Sequence, residues 1–210
     1  MKKHLLAAAL LAASLSSYAG ELYTGVGTTG VTLGYEQLMG PRAGTRYELN
    51  HMSTTGTVTA GSATYDYKVT GNSLATFFDF YPFVNSGFRF TTGAFIGSPS
   101  VDMAARSQVF VQGQYALLIP GDSVSVKAKT NTVMPYVGLG YRSGRYTSGL
   151  HFFADAGVSY VKPELSLTAS PDLVALAGQA RINQEAKALQ DQADKQKFFP
   201  VLRVGVSFAF

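Results

Sequence analysis

The last thirteen residues alternate between two kinds of side chain, and this pattern constrains the fold more than any other feature of the sequence. One face of the segment is almost wholly apolar and consists of Phe198, Leu202, Val204, Val206, Phe208 and Phe210. The other face is mixed and consists of Phe199, Val201, Arg203, Gly205, Ser207 and Ala209. Because successive side chains of a strand point to opposite sides, the pattern predicts a β-strand with one strongly apolar face.

The N-terminal segment has the three parts of a secretion signal. It opens with two lysines, continues with the apolar run 5–11, and places the small residues Ser17 and Ala19 at the −3 and −1 positions of a cleavage site. The apolar run is too short to cross a bilayer as a helix. We therefore predict that residues 1–19 are a cleaved signal peptide and that residues 20–210 form one domain.

Composition excludes two classes of function. Removing the two lysines of the signal leaves 15 basic and 13 acidic residues, a net charge of +2, so no nucleic-acid partner is predicted. The chain has no cysteine, which excludes a disulfide framework and a thiolate metal site.

The two-residue period recurs seven more times along the chain. The predicted strands are 22–27, 31–36, 46–50, 74–81, 88–96, 135–142 and 150–160, followed by the C-terminal strand 198–210. An unpaired backbone group costs several kcal/mol in hydrocarbon, so strands that cross a membrane must close into a barrel. The sequence therefore predicts an all-β fold, an eight-stranded antiparallel up-and-down transmembrane β-barrel of the outer membrane.

The connections between these strands alternate in length, which is an independent sign of a barrel. Segments 39–44, 83–87 and 143–149 are short and contain Gly or Pro, whereas segments 51–72, 98–131 and 161–197 are long and polar. Bacterial outer-membrane barrels have short periplasmic turns and long external loops. We therefore expect both termini in the periplasm and three long loops outside the cell, with the connection 28–30 as a short exception.

The last long loop is predicted to contain one helix over residues 171–196. Ser170 suits the N-cap, Pro171 suits the first helical position, and Asp172 favours the positive end of the helix dipole. Two placements stay open. The helix either covers the barrel mouth in solvent or enters the lumen as a lid or plug.

Charged residues of the predicted strands fall on the face opposite the apolar one. They are Glu36, Arg46, Glu48, Asp79, Arg89, Arg142, His151, Asp155 and Arg203. An arginine facing lipid at mid-depth costs about 2–4 kcal/mol, so this sorting favours a lumen that holds the charges. A barrel of eight strands is just wide enough for side chains to fill it, so we expect the acids and arginines to pair. Such a network is either a polar core or a narrow pore whose ion pairs exchange partners.

Several short blocks resemble a known group of proteins. They are DFYPF at 79–83, PYVGLG at 135–140, FFADAG at 152–157, FPV at 199–201 and the terminal Phe210. They are similar to blocks of small proteobacterial outer-membrane proteins related to outer membrane protein A, outer membrane protein W and the opacity-type barrels. The resemblance implies an outer-membrane location but no chemistry. Phe208 and Phe210 resemble the signal that such barrels present to the barrel-assembly machinery, which is therefore an expected partner.

An enzymatic role has little support in the sequence. His51-Met52-Ser53 has the spacing of a lipid A deacylase motif, but no acidic residue accompanies it on its predicted face. The chain has three histidines and no Gly-rich phosphate loop, so we predict no metal site, no cofactor and no catalytic residue.

The expected role is therefore a structural or surface protein embedded among outer-membrane lipids and lipopolysaccharide, with external loops that bind an unidentified ligand. A narrow porin for ions or small solutes is the alternative. A lipid A-modifying enzyme is a third, weaker hypothesis.

Overall fold

A computed structural model of the chain describes residues 20–60, 63–105, 108–111, 114–117, 124–195 and 197–210. The predicted signal peptide lies outside the described residues. The strands in chain order are β1 Gly20–Gly27, β2 Gly30–Leu38, β3 Ala43–Ala60, β4 Ala63–Phe80, β5 Phe88–Gly97, β6 Ser100–Ala105, β7 Gln108–Val111, β8 Gln114–Leu117, β9 Val124–Lys129, β10 Val133–Arg142, β11 Gly149–Tyr160, β12 Glu164–Ala169 and β13 Phe198–Ala209. Two helices, α1 Pro171–Ala177 and α2 Gln179–Ala193, lie between β12 and β13.

Eight of these strands close into a barrel in the order β1-β2-β3-β4-β5-β10-β11-β13. Every neighbouring pair is antiparallel, and the barrel closes where β1 pairs with β13, from Glu21 opposite Ala209 to Gly27 opposite Arg203. The prediction of an eight-stranded up-and-down barrel is confirmed. Closure leaves no barrel strand with an unpaired edge beside the hydrocarbon.

The two ends of the barrel differ. At one end, here called the turn end, the connections 39–42, 81–87 and 143–148 are short. At the other, the loop end, the chain makes one tight turn at 28–29 and then carries all the long excursions.

The long excursions contain more strand than the sequence indicated. β3 and β4 are 18 residues each and stay paired far beyond the barrel, up to Ala60 opposite Ala63. β6, β9 and β12 then add side by side to the outer half of β4. We call this extension, formed by the outer halves of β3 and β4 with β6, β9 and β12, the outer sheet. The expectation of polar loops at 51–72, 98–131 and 161–197 is therefore wrong for much of their length.

The outer sheet has one apolar face and one polar face. Val69, Val101, Ala128 and Leu165 form a continuous row across four of its five strands, β4, β6, β9 and β12. Each strand contributes only two or three apolar residues, and its other face is rich in Ser, Thr and Lys. Such short, weak alternation does not stand out from a polar loop in the sequence.

The helical segment differs in one respect from its prediction. Ser170 occupies the N-cap and Pro171 the first helical position, as expected, although the Ser170 side chain makes no capping hydrogen bond. The helix is then divided at Gly178, which has φ +83°. An L-residue with a side chain adopts this left-handed conformation only with strain, so glycine permits the break.

α2 attaches to the edge of the outer sheet. The Gln190 side chain accepts a hydrogen bond from the Leu165 backbone N–H and donates one to the Pro163 carbonyl, both at 2.8 Å. The side-chain amide thereby satisfies two backbone groups at the β12 edge that a further strand would otherwise pair with. These contacts place α2 beside the outer sheet.

The side chains of the barrel strands are sorted by polarity. Large apolar residues cover the outside and are about half exposed, among them Leu22, Leu33, Leu49, Phe78, Phe90, Val137, Leu139, Phe152, Leu202 and Val204. The inside is filled by charged, polar and aromatic residues. A soluble monomer rarely exposes a continuous apolar belt of this size, so the partition matches a barrel solvated by lipid.

No helix in the described part of the chain is both long and apolar enough to cross a membrane.

Candidate functional site

The lumen of the barrel is the candidate site, because charged side chains from all eight barrel strands meet there. Within the described residues, five buried carboxylates lie opposite five buried arginines. The carboxylates are Glu21, Glu36, Glu48, Asp79 and Asp155, and the arginines are Arg46, Arg89, Arg142, Arg145 and Arg203. The set is neutral overall, which is the condition for burying so many charges at a tolerable desolvation cost.

Arg46 occupies the middle of the lumen. Its Nε lies 2.6 Å from Asp79 Oδ2, and its Nη1 lies 2.9 Å from Asp155 Oδ2. Its Nη2 donates to Thr91 Oγ1 at 3.2 Å, and Thr91 in turn donates to Asp79 at 2.5 Å. The guanidinium thus uses all three of its nitrogens and is held from β4, β5 and β11 at once.

Asp155 is the carboxylate on which the network converges. It accepts hydrogen bonds from Arg46, from Arg89 Nη2 at 2.8 Å and from Arg203 Nη2 at 3.2 Å. Arg203 continues to Glu48 through a contact of 2.5 Å, and Glu48 also accepts a hydrogen bond from the Tyr23 hydroxyl at 2.7 Å. One carboxylate therefore links three arginines from three different strands.

A second group of charges closes the turn end. Arg142 forms ion pairs with Glu21 and with Glu36, the latter at 3.3 Å. Tyr81, in the connection after β4, donates its hydroxyl to Glu36 at 2.5 Å, and the Arg145 guanidinium stacks 3.5 Å from the centre of the Tyr81 ring. Burial and the nearby Glu36 carboxylate raise the pKa of Tyr81, so its hydroxyl stays protonated and serves as a donor.

An aromatic layer lies above the ion pairs, toward the loop end. Phe77, Phe95 and Tyr136 pack edge to face with ring centres 5.2–5.7 Å apart. The guanidinium groups of Arg46 and Arg203 lie 5.2 and 5.3 Å from the Phe77 ring, within the range of cation–π attraction. The aromatic layer therefore joins the charged network and covers it.

The described side chains pack tightly at the level of the network. The gap enclosed by Glu21, Tyr23, Arg46, Arg89 and Arg142 is too small to hold a water molecule. Inward glycines make this packing possible. A Cβ placed on Gly140, for example, would lie only 2.8 Å from Arg89 Nε.

The structure buries all nine residues that the sequence assigned to the lumen, and eight of them take part in ion pairs. His151 does not. Its Nε2 lies 2.8 Å from the Thr147 carbonyl in the turn 143–148 and serves that turn rather than the network. Phe208 and Phe210 lie on the outer face and are more than half exposed, and their role in assembly stays a prediction.

Sequence reasoning missed several partners in the network, chiefly Glu21, Tyr23, Tyr81 and Arg145. Glu21 and Tyr23 alternate with the outward Leu22, so extending the weak first strand by one residue identifies them as inward-facing. Tyr81 and Arg145 lie in connections, where no two-residue period indicates their direction.

In the motif His51-Met52-Ser53, the histidine contacts an amide, and no carboxylate among the described residues is seen to pair with it. His51 Nδ1 lies 2.7 Å from the side-chain oxygen of Asn72, and both His51 and Ser53 are on the exposed face of β3. An amide orients an imidazole but provides no charge to stabilise its protonated form.

Comparisons with known proteins show the fold but no family. No family model matches the chain, and no curated protein matches it. Among solved structures, it is similar to Acinetobacter baumannii CarO, with 21% identity, 92% of this chain and 98% of that chain covered, and a TM-score of 0.65. CarO2 of the same organism has 20% identity, 92% and 99% coverage, and a TM-score of 0.68. The chain therefore has the fold of these small eight-stranded outer-membrane barrels.

Proposed function

We propose that this protein is an integral outer-membrane barrel with a closed lumen, which anchors an external sheet that serves as a structural or binding surface. The observation that carries the proposal is the combination of an apolar belt around the barrel with a tightly packed lumen that is filled by ion-paired side chains. The fold shared with CarO supports it.

The orientation follows from the two ends. Barrels of this class have short turns in the periplasm and long excursions outside the cell. The turn end, with Tyr81 and Arg145, then faces the periplasm, and the outer sheet with its helices faces the exterior. Outer-membrane lipids and lipopolysaccharide are the proposed surroundings of the belt.

The closed lumen argues against the alternative of a narrow pore. A permeating ion would have to separate Arg46 from Asp155 and Arg203 from Glu48, and each separated pair would leave buried charges without partners. It would then have to pass the aromatic layer. We expect these costs to prevent steady conduction.

Recording from the purified protein in planar lipid bilayers tests the closed lumen. We expect no steady conductance from the wild type. Arg203→Ala and Arg142→Ala serve as probes of the path, since each removes a guanidinium from a different level of the lumen. A steady wild-type conductance that either substitution changes would establish the pore and overturn the closed lumen.

The C-terminal strand is the proposed contact with the barrel-assembly machinery. Phe210→Ser is expected to lower the amount of folded protein in the outer membrane severalfold, because it removes the terminal aromatic residue. Phe198→Ser is the matched control, since Phe198 is also more than half exposed but lies at the opposite end of the C-terminal strand. Equal losses for both variants would assign the effect to general stability.

We propose no enzymatic activity. Mass spectra of lipid A from cells that express the wild type or His51→Ala are expected to be identical to those of cells without the protein. A modified lipid A species that depends on His51 would replace this proposal with an enzymatic one.

A further inference from the structure

An apolar cavity of about 210 Å³ occupies the loop-end mouth of the barrel. It lies between the aromatic layer of the lumen and the apolar face of the outer sheet. Its lining residues come from all eight barrel strands or their connections, from β6 and from β9, among them Met52, Val69, Val101, Ala128 and Met134. The cavity belongs to neither the charged network nor the outer surface.

The floor of the cavity is closed. Phe95, Met134 and Val201 line it and are at most 6% exposed, and they belong to the buried cluster that packs on Phe77 and Tyr136. A molecule that enters from the loop end therefore meets a blind pocket above the ion pairs. A closed pocket of this kind has the geometry of a binding site, and a ligand can occupy it without passing through the barrel.

The lining excludes charged ligands. None of the described residues around the cavity is charged, although five buried arginines lie below its floor. Several polar side chains of the lining are already engaged. Thr28 bonds to the backbone of Pro200 and Leu202, and Ser159 bonds to the Pro135 carbonyl. These groups present mainly their carbon atoms to the cavity.

One polar group of the lining is unused. Thr29 lines the cavity, and its buried Oγ1 has no hydrogen-bond partner among the described residues. A buried hydroxyl without a partner costs free energy, which a ligand that carries one hydroxyl or carbonyl group would recover.

We propose that this cavity binds a small uncharged aromatic molecule with a single hydroxyl group, of the substituted-phenol class. An apolar cavity of about 150 Å³ holds benzene, so this larger one suits a molecule of roughly eight to ten heavy atoms. Phe95 and Met134 offer an aromatic ring and a thioether, both of which pack well against an aromatic ligand. The proposal goes beyond the closed barrel and external surface argued above and concerns a separate activity.

Methionine methyl NMR of the full barrel in lipid nanodiscs tests the proposal, with 4-ethylphenol as the probe. Met52 and Met134 line the cavity, whereas Met39 lies at the turn end and Met103 on the outer sheet away from it, so the last two are internal controls. We expect saturable shifts of the two cavity methyls only. Equal shifts of all four methyls, or no saturable shift, would overturn the proposal.

Two substitutions sharpen the test. Ala128→Phe fills the cavity and is expected to weaken binding at least tenfold. Ala104→Phe adds the same ring elsewhere on the outer sheet and should leave binding unchanged. An unchanged Met39 signal and an unchanged far-ultraviolet circular dichroism spectrum show that each variant is folded, since Met103 lies next to Ala104 and responds to that substitution directly. Equal weakening by both substitutions would overturn the assignment to this cavity.

The role of the hydroxyl is tested separately. Thr29→Val preserves shape and should weaken 4-ethylphenol binding about two- to tenfold, the usual range for one hydrogen bond, without affecting ethylbenzene. 4-Ethylbenzoate, with the same skeleton and a negative charge, should not bind. Binding of 4-ethylbenzoate as tightly as 4-ethylphenol would contradict the proposal. None of these readouts depends on conductance, so they can fail or succeed independently of the closed lumen.

Discussion

Arg46 and Asp155 join opposite walls of the barrel. Arg46 extends from β3 and Asp155 from β11, four strands away in either direction around an eight-stranded wall, and Arg46 Nη1 lies 2.9 Å from Asp155 Oδ2. A direct contact across the full diameter is possible because the lumen is narrow and a guanidinium is long. This ion pair therefore links two strands across the lumen that share no backbone hydrogen bonds.

Removing the negative charge of Asp155 should destabilise the barrel strongly. Asp155→Asn leaves Arg46, Arg89 and Arg203 with one fewer negative partner in a buried site. We expect a loss of about 3–5 kcal/mol in the free energy of unfolding, measured by urea titration in phospholipid vesicles.

The control is another ion-paired aspartate on the surface. Asp102 lies 3.2 Å from Lys127, and both side chains are about half exposed. Asp102→Asn should change the free energy of unfolding by less than about 1 kcal/mol, because solvent screens the pair. A similar loss for both variants would mean that the lumen network contributes no more than a surface pair.

The barrel and most of its lumen could be predicted from the sequence because lipid and lumen make opposite demands on alternate residues. The inward direction of Arg203, which lies between Leu202 and Val204, is unambiguous, since only one face of that strand tolerates a charge. Seven of the eight barrel strands show this contrast clearly, so parity alone assigned eight ion-paired residues to one interior, and only the weak first strand hid its inward Glu21. Which acid pairs with which arginine depends on strand stagger, and the sequence does not contain that information in readable form.

The outer sheet could not be predicted because the contrast between a lipid-facing and a lumen-facing side of the strand is absent there. Beyond the membrane both faces of a strand tolerate polar residues, so β12, with Leu165 and Leu167 as its only large apolar residues, resembles a loop. The mouth cavity was missed with it, because its walls include β6 and β9.

Adding a single methyl group at Gly140 should disturb the network. A Cβ there would contact both the Asp155 carboxylate and Arg89 Nε. Arg89 and Asp155 are hydrogen-bonded to each other, so neither side chain has much freedom to move. We expect Gly140→Ala to cost about 1–3 kcal/mol in the free energy of unfolding, as overpacking of a filled interior does.

Ala156→Val is the comparison for this variant. Ala156 faces outward on the neighbouring strand β11, so the substitution adds more volume but places it in lipid. Its free energy of unfolding should stay within about 0.5 kcal/mol of the wild type. If Gly140→Ala proved as harmless as Ala156→Val, the interior would be less filled than the structure shows.

The membrane assignment predicts a strong penalty for charge on the belt. Val137 lies midway along β10 and is 56% exposed. In a soluble protein Val137→Arg would be a mild surface change, whereas facing hydrocarbon it should cost about 2–4 kcal/mol of unfolding free energy in vesicles. Thr55→Arg, on the exposed outer half of β3, should cost little. Equal tolerance of the two arginines would contradict a lipid-facing belt at Val137.

The attachment of α2 to the outer sheet depends on one amide. Gln190 bonds to both the Leu165 N–H and the Pro163 carbonyl, so Gln190→Ala removes two hydrogen bonds and exposes the edge of β12. A loss of about 1 kcal/mol of local stability corresponds to roughly fivefold faster proteolysis of the helical segment through local opening. Gln179→Ala is the matched control, because the Gln179 side chain bonds to Asn183 within the same helix. Limited proteolysis of intact cells measures both variants. Cleavage of the Gln190 variant at the wild-type rate would show that other contacts hold the helix in place.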